Sequence, residues 1–155
     1  MSDTFRRIVD AQSAYIQCID GDRLEDWPAF FHEPCLYKVT SAENHKEGLE
    51  AGLIFANSLG MLKDRVSALR DANIYERQSY RHILGQPLIL SEQDGDVRAE
   101  TPFIVARIMQ DGATDLFASG RYLDRFKIAA DGVKLHERIV VCDSSRVDTL
   151  LAIPL

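Results

Sequence analysis

Residues 94–112, DGDVRAETPFIVARIMQDG, carry the pattern that decides the fold. Alternate positions are held by Val97, Ala99, Thr101, Phe103 and Val105, with Arg98, Glu100 and Pro102 between them. This period of two is typical of a β-strand with one buried face. An Asp-Gly pair lies near each end, and Asp-Gly between alternating apolar runs indicates a tight hairpin turn. The stretch therefore predicts a long strand between two hairpins.

Further strands are predicted on both sides of this one. Alternating or apolar runs cover residues 80–91, 115–128 and 133–143, and Asp131-Gly132 separates the last two. In the last run we expect one face to hold Val133, Leu135, Ile139 and Val141, and the other to hold Lys134, His136 and Arg138. Together with the run over 97–110, they predict four strands in an antiparallel meander.

The first part of the chain has helical periodicity instead. Apolar residues recur at helical spacing over 5–19, behind a cap at Ser2 or Asp3, and residues 20–22 (DGD) end this helix. A second helix could begin with a capping box over 22–25 (DRLE) or with a cap at Asp26, and both remain open. In either case its apolar face holds Leu24, Trp27, Phe30 and Phe31.

Between these helices and the strands the pattern is less regular. Residues 35–40 are a short strand candidate. Residues 43–60 contain three glycines and are expected to be mostly loop, with a short strand near Ile54. A third helix is then predicted from Leu59 to about Arg70, because apolar residues recur there on one helical face.

Helices followed by a long antiparallel meander indicate an α+β fold. A chain of 155 residues is expected to form one domain over 1–155, with N-terminal helices packed on a strongly curved, mostly antiparallel sheet. This arrangement is similar to the cone shape of nuclear-transport-factor-2-like proteins. Fold similarity of this kind fixes no activity.

Composition excludes several classes of partner. The formal net charge of −6 argues against nucleic acid and against anionic membranes, because both need a basic surface. The three cysteines are widely spaced, without a C-x-x-C pair, which is typical of reduced thiols in a cytoplasmic protein. No run approaches the roughly 20 apolar residues of a membrane span, and the N-terminus does not resemble a signal peptide. We therefore expect a cytoplasmic protein.

Residues for metal or nucleophilic chemistry are sparse. The four histidines, His32, His45, His82 and His136, form no short ligand motif with each other or with cysteine. A Rieske cluster needs two Cys and two His in paired motifs, which the chain lacks. There is also no G-x-S-x-G sequence. We expect no catalytic, cofactor-binding or metal-binding residue in this chain.

Two groups of polar residues leave alternatives open. An acid/base pocket inside the cone could be built from Tyr15, Tyr37, His82, Asp124 and Asp143. The alternative is that these side chains are packed and hydrogen-bonded. Charged residues on the predicted strands could form either a solvated face or an interface, since arginine pairs bidentately with carboxylates. They are Arg81, Arg98, Arg107, Arg121, Asp124, Arg125, Glu137 and Arg138.

An ordered set of segments along most of the chain resembles the small subunit of the Rieske-type aromatic-ring-hydroxylating dioxygenases. The segments are 20–27 (DGDRLEDW) with Phe30, Phe31 and Tyr37, then Glu43-Asn44, 62–66 (LKDRV) with Leu69-Arg70, Arg81-His82, 120–124 (GRYLD), and 138–140 (RIV) with Asp143. The resemblance implies a hexamer of three large and three small subunits (alpha3beta3). The Rieske [2Fe-2S] cluster and the mononuclear Fe(II) would lie in the large subunit. This chain would be a non-catalytic scaffold.

The same resemblance gives candidate interface residues and a substrate class. The candidates are Arg65, Arg81, Arg121, Asp124 and Arg138. Residues 74–82 lack the proline expected of polycyclic-hydrocarbon relatives, and residues 80–85 (YRHILG) look more like members acting on aromatic carboxylates. Terephthalate is the first choice, ahead of benzoate, anthranilate and salicylate. Two alternatives remain: a free-standing isomerase, dehydratase or cyclase, and a binding module without an enzyme partner.

Overall fold

A computed structural model describes residues 2–49, 52–72, 77–145 and 153–155. The first part of the 74–82 segment lies outside the described residues. The helices are α1 (Asp3–Asp20), a 3-10 helix (Leu24–Phe30), α2 (Ala42–Lys46) and α3 (Leu59–Ala72). The strands are β1 (Phe31–Ser41), β2 (Ile54–Ala56), β3 (Gln78–Leu84), β4 (Leu88–Gln93), β5 (Asp96–Met109), β6 (Thr114–Ala129) and β7 (Gly132–Cys142).

The first and third helices follow their sequence signals. The Ser2 hydroxyl accepts a hydrogen bond of 3.1 Å from the backbone N–H of Phe5, which satisfies one of the free donors at the start of α1. At the other end, the Gly21 N–H donates to the carbonyl of Gln17 at 2.9 Å. The predicted third helix is confirmed as α3.

Two predictions for the segment between α1 and α3 were wrong. Residues 24–30 form a 3-10 helix whose N-cap, Arg23, makes no side-chain cap, so neither the capping box nor the Asp26 cap is present. The short helix α2 was not predicted. It begins at a Ser41 hydroxyl that accepts from the Asn44 N–H at 3.2 Å, and five residues are too few to show helical periodicity. The strand near Ile54 is confirmed as β2.

The described strands form one sheet with the order β2-β1-β7-β6-β5-β3, and β4 also pairs with β5. The β4–β5, β5–β6 and β6–β7 pairs are antiparallel, as predicted from the Asp-Gly turns. At the first turn, Asp94 and Gly95 both have positive φ, 52° and 81°, which suits a tight hairpin. The β1–β7 pair is parallel, which the local sequence patterns did not indicate.

The run over 80–91 is two strands rather than one. β3 pairs with the second half of β5 and β4 with the first half, so the two strands lie end to end along one edge. The break falls at Gly85-Gln86-Pro87, where proline lacks the N–H that a continuous ladder needs. Pro87 thus marks a break in strand pairing, which the continuous apolar run over 80–91 did not indicate.

The hydrophobic core lies between the concave face of the sheet and the N-terminal helices. The alternate residues of β5 from Val97 to Val105 are all buried, which confirms the predicted inner face. Strands β6 and β7 approach closely at Gly120, where a Cβ would lie only 2.0 Å from the Val141 carbonyl oxygen. Glycine is therefore required at this position of the inner face.

The predicted faces of the last strand were wrong beyond residue 135. The β6–β7 register shifts between Arg125 and Phe126, which inserts an extra residue into β7 and inverts its alternation. Leu135 remains buried, but Arg138 now points inward and is fully buried. A bulge of this kind depends on the neighbouring strand, so the period of β7 alone could not show it.

Candidate functional site

An ion pair lies at the centre of the cone. Arg138 on β7 and Asp124 on β6 are register partners, and the guanidinium donates two hydrogen bonds of 2.8 Å to the two carboxylate oxygens. Both side chains have no exposed area. Burial raises the pKa of Asp124, and the adjacent guanidinium opposes that rise. Burial alone would lower the pKa of Arg138, but Asp124 holds it above its ordinary value.

Aromatic rings enclose this ion pair. The Arg138 guanidinium carbon lies 4.3 Å from the ring centre of Tyr15 and 3.9 Å from that of Tyr122, so the cation is held between two π faces. Gln12 of α1 accepts from Arg138 at 3.4 Å and donates to Thr101 at 2.9 Å. Burial raises the pKa of Tyr15 and raises that of Tyr122 well above its ordinary value, so both phenols stay protonated. This arrangement stabilises a charge; it does not present a reactive group.

The segment 153–155 closes one side of the interior. The backbone carbonyl of Leu155 accepts hydrogen bonds from the hydroxyls of Tyr15 (3.2 Å) and Tyr37 (3.0 Å), and its N–H donates to Tyr37. Trp27 donates to the Tyr15 hydroxyl at 3.0 Å. Leu155 is fully buried. Local sequence patterns do not indicate this contact, because 118 positions separate Leu155 from Tyr37.

Asp20 and His82 form a second buried pair. Asp20 accepts from the backbone N–H of His82 at 2.8 Å and contacts its ring Nδ1 at 2.6 Å, which joins the end of α1 to β3. The His82 side chain is fully buried. It borders an open cleft of about 270 Å³ next to Ser13 and Pro87. The sequence pattern indicated His82 as a candidate but not its partner Asp20.

The predicted acid/base set does not converge on one pocket. Tyr15, Tyr37 and Asp124 lie in the closed interior, whereas His82 pairs with Asp20 and Asp143 is exposed, accepting from Ser119 at 3.0 Å. The interior space beside Arg138 measures about 10 Å³, room for a single water. Small-molecule sites usually measure roughly 300–1,000 Å³. The space beside Arg138 therefore offers no room for a substrate. A larger cleft of about 550 Å³ lies elsewhere and is lined by Asp20, Arg70 and Tyr80, among others.

Within the four described ranges, no group of three or more His, Cys, Asp or Glu side chains could hold a metal ion. The ligand sets of a Rieske cluster or of a mononuclear iron therefore do not fit the described residues.

The convex side of the sheet carries mixed polar and apolar groups. We call this the outer sheet face and define it by Arg81 and Ile83 on β3, Glu100 and Ile104 on β5, and Arg121 on β6. Ile83 and Ile104 are register partners and are 56% and 44% exposed. Arg121 donates to Glu100 at 2.9 Å. Exposed apolar groups beside ion pairs are typical of an interaction surface.

The five candidate interface residues occupy different places. Arg81 and Arg121 are exposed on the outer sheet face. Arg65 on α3 is half-buried beside Trp27, and its charge lowers the pKa of Tyr37, although burial dominates and keeps that pKa raised. Asp124 and Arg138 are the internal ion pair. A side chain without exposed area cannot contact a partner, so the expectation is corrected for these two.

The described helices do not include one that is both long and apolar enough for a membrane span.

Comparisons with known proteins agree with this geometry. A protein-family model described as a ring hydroxylating beta subunit matches residues 16–149. The chain is 52% identical over 149 residues to subunit beta 1 of the terminal oxygenase component of terephthalate 1,2-dioxygenase from Comamonas sp, covering 96% of this chain and 97% of the relative. It is 38% identical over 152 residues to the anthranilate 1,2-dioxygenase small subunit from Burkholderia cepacia, covering 98% and 94%.

A solved structure is similar over nearly the whole chain. It is a beta subunit ascribed to an aromatic-ring-hydroxylating dioxygenase from Novosphingobium aromaticivorans, with a TM-score of 0.91 and 39% identity. The superposition covers 98% of this chain and 97% of the other. The expected cone-shaped, nuclear-transport-factor-2-like α+β fold is thereby confirmed.

Proposed function

This chain belongs to the ring-hydroxylating dioxygenase beta-subunit family, and from that premise we propose that it is a non-catalytic structural subunit. It is the beta subunit of a multicomponent dioxygenase and therefore has a large-subunit partner. In this proposal the small subunit positions the large subunits and takes no part in the chemistry. The chain acts as one domain over 1–155 in the cytoplasm.

The observation that carries the proposal is the closed interior of the cone. Arg138, Asp124 and the two tyrosine rings fill the space where a catalytic cone would hold a substrate, and Leu155 closes it. Because the charges neutralise each other and the phenols stay protonated, the cluster lacks a free base. These properties favour a rigid scaffold over an enzyme.

The redox chemistry then belongs to the large subunit. We place the Rieske [2Fe-2S] cluster and the mononuclear Fe(II) there, since the described residues of this chain do not provide their ligands. The assembly uses O₂ and electrons from NAD(P)H, delivered by a reductase, for cis-dihydroxylation of an aromatic ring. We propose an alpha3beta3 hexamer.

Contact with other subunits is assigned to exposed groups. Arg81 and Arg121 lie on the outer sheet face beside exposed isoleucines, and this face is the proposed contact for other copies of the chain or for the large subunit. Arg65 is half-buried and remains a candidate at the α3 surface. An arginine fork that gains a desolvated carboxylate partner is a strong interface contact.

The proposed substrate is an aromatic carboxylate, with terephthalate first. The relative at 52% identity is a terephthalate 1,2-dioxygenase subunit, and the one at 38% is an anthranilate 1,2-dioxygenase subunit. Both named compounds carry a carboxylate on an aromatic ring.

The test is reconstitution with the large subunit encoded nearest to this chain. We expect the chain alone to be colourless and inactive, and the co-expressed complex to be brown and to dihydroxylate terephthalate faster than benzoate or anthranilate. Activity of the chain alone with a cyclisable or dehydratable compound would overturn the scaffold role. Activity of the complex on another aromatic carboxylate would overturn only the substrate assignment.

A further inference from the structure

Two histidines that are far apart in sequence lie side by side on neighbouring strands. His32 is on β1 and His136 is on β7, and their ring centres are 4.9 Å apart with an angle of 68° between the planes. β1 and β7 pair in parallel, and the pairing shifts register between Phe31 and Leu36, next to His32. The shift displaces His32 from regular pairing and brings the rings together. Neither ring belongs to the interior cluster or to the outer sheet face.

The hydrogen bond of His136 fixes which of its nitrogens is free. Its Nδ1 lies 3.1 Å from the carbonyl oxygen of Pro34. A carbonyl only accepts, so Nδ1 carries the proton, and in the neutral ring Nε2 then keeps its lone pair. Metal-ligating histidines usually have this arrangement, in which the second ring nitrogen donates to a carbonyl or carboxylate. His136 is therefore oriented as a ligand.

The His32 ring is half-buried and lacks a hydrogen bond within the part of the chain that the structure describes. Its Nδ1 is shielded from solvent as well, which is costly for a polar atom without a partner. A cation bound by both His32 and His136 would give this nitrogen atom a partner.

The spacing of the rings suits a shared ion. With metal–nitrogen bonds of about 2.0–2.1 Å, each ring centre would lie roughly 3 Å from the ion, and a near-tetrahedral angle would separate the two centres by about 5 Å. The observed separation is 4.9 Å. Imidazole nitrogen is a preferred ligand of zinc, nickel and copper.

We propose that His32 and His136 form a two-ligand binding site for a divalent transition-metal ion of the zinc, nickel or copper type, with solvent in the remaining positions. Two protein ligands make the ion exchangeable rather than permanently held. It would tie β1 to β7 where their register is irregular. This site is independent of the proposed scaffold function and of the iron centres assigned to the large subunit.

The test uses the full chain with any purification tag removed. Calorimetric titration with zinc and with nickel is expected to give one site per chain, and cobalt is expected to give the visible spectrum of imidazole ligation. His32→Phe keeps a ring of similar size but removes both nitrogens, and should weaken binding about tenfold or more. His136→Phe should do the same. His45→Ala, on α2, is the matched control and should bind like the parent chain.

A stability readout checks the site independently of calorimetry. Saturating zinc should raise the melting temperature of the parent chain by about 5 °C, reversed by EDTA, and should leave His32→Phe unchanged. The proposal is overturned if His32→Phe and the parent bind zinc equally. It is equally overturned if the parent binds no tighter than the double variant His32→Phe/His136→Phe.

Discussion

The guanidinium of Arg138 faces the carboxylate of Asp124 directly across β7 and β6, joined by two hydrogen bonds of 2.8 Å. Neither side chain is exposed. A buried charge is tolerated only when it is paired, so each of these residues depends on the other. Loss of either residue should therefore lower the stability of the folded chain, whatever its effect on assembly.

Arg138→Ala should lower the free energy of unfolding of the isolated chain by about 3–5 kcal/mol, because Asp124 is then left buried and unpaired. Denaturant unfolding measures this difference. The matched control is the double variant Arg138→Met/Asp124→Leu, which replaces the pair with apolar groups and should recover most of the loss. Equal stabilities of Arg138→Ala and the parent chain would contradict the internal pairing.

Trp27 should act through packing alone. It has no exposed area, its ring contacts those of Phe31 and Tyr37 edge to face with centres 5.8 and 5.0 Å apart, and its Nε1 donates to Tyr15. Truncation of a buried tryptophan costs roughly 3–5 kcal/mol, so Trp27→Ala should lower the melting temperature strongly or prevent soluble expression. Trp27→Phe is the milder control. An unchanged melting curve in Trp27→Ala would refute a packing role.

The sequence was most informative where structure is local. Alternation along β5 predicted its inner face because a strand buries every second residue, and the Asp-Gly pairs predicted the hairpins. Arg138 was placed on the wrong face because the bulge opposite Phe126 is a property of two strands together. Asp20 and His82 are 62 positions apart, so the local periodicity of the sequence does not indicate their contact.

Cys142 makes stability sensitive to alkaline pH. Burial raises the pKa of its thiol from 9.0 to about 11. Between these values the unfolded chain loses the thiol proton while the folded chain keeps it, so unfolding is favoured as pH rises above about 9. The loss should reach about 2–3 kcal/mol near pH 11. Cys142→Ala should lack this part of the alkaline decline when the free energy of unfolding is measured at pH 8, 9, 10 and 11. An equal decline in Cys142→Ala and in the parent chain would contradict this role of Cys142.

His82 should contribute to folding but not to turnover. Its ring and backbone N–H both bind Asp20, so His82→Gln should destabilise the join between α1 and β3. A general base would contribute about 10²–10⁴ in rate, whereas a structural residue leaves turnover per intact complex unchanged. The measurement is activity normalised to the fraction of intact complex from size-exclusion chromatography. A hundredfold loss in the intact complex would make His82 catalytic.

Arg121 is expected to act through assembly. Its ion pair with Glu100 is partly exposed, 44% and 31% for the two side chains, and an exposed pair contributes about 1 kcal/mol or less to folding. If the outer sheet face is buried against another subunit, loss of the arginine strands a charge there and costs roughly 2–5 kcal/mol at each copy of the interface. Arg121→Ala should therefore leave the isolated chain folded and shift the co-expressed complex to smaller species on dilution.

Light scattering over a dilution series measures that shift, and Arg81→Ala should behave in the same direction. The matched control is Arg6→Ala, which removes an exposed ion pair with Asp3 on α1. It should leave both folding and assembly unchanged. If Arg121→Ala and Arg81→Ala both form complexes as stable as those of Arg6→Ala, the outer sheet face is solvated in the complex, and the contacts must be sought elsewhere, beginning with Arg65 on α3.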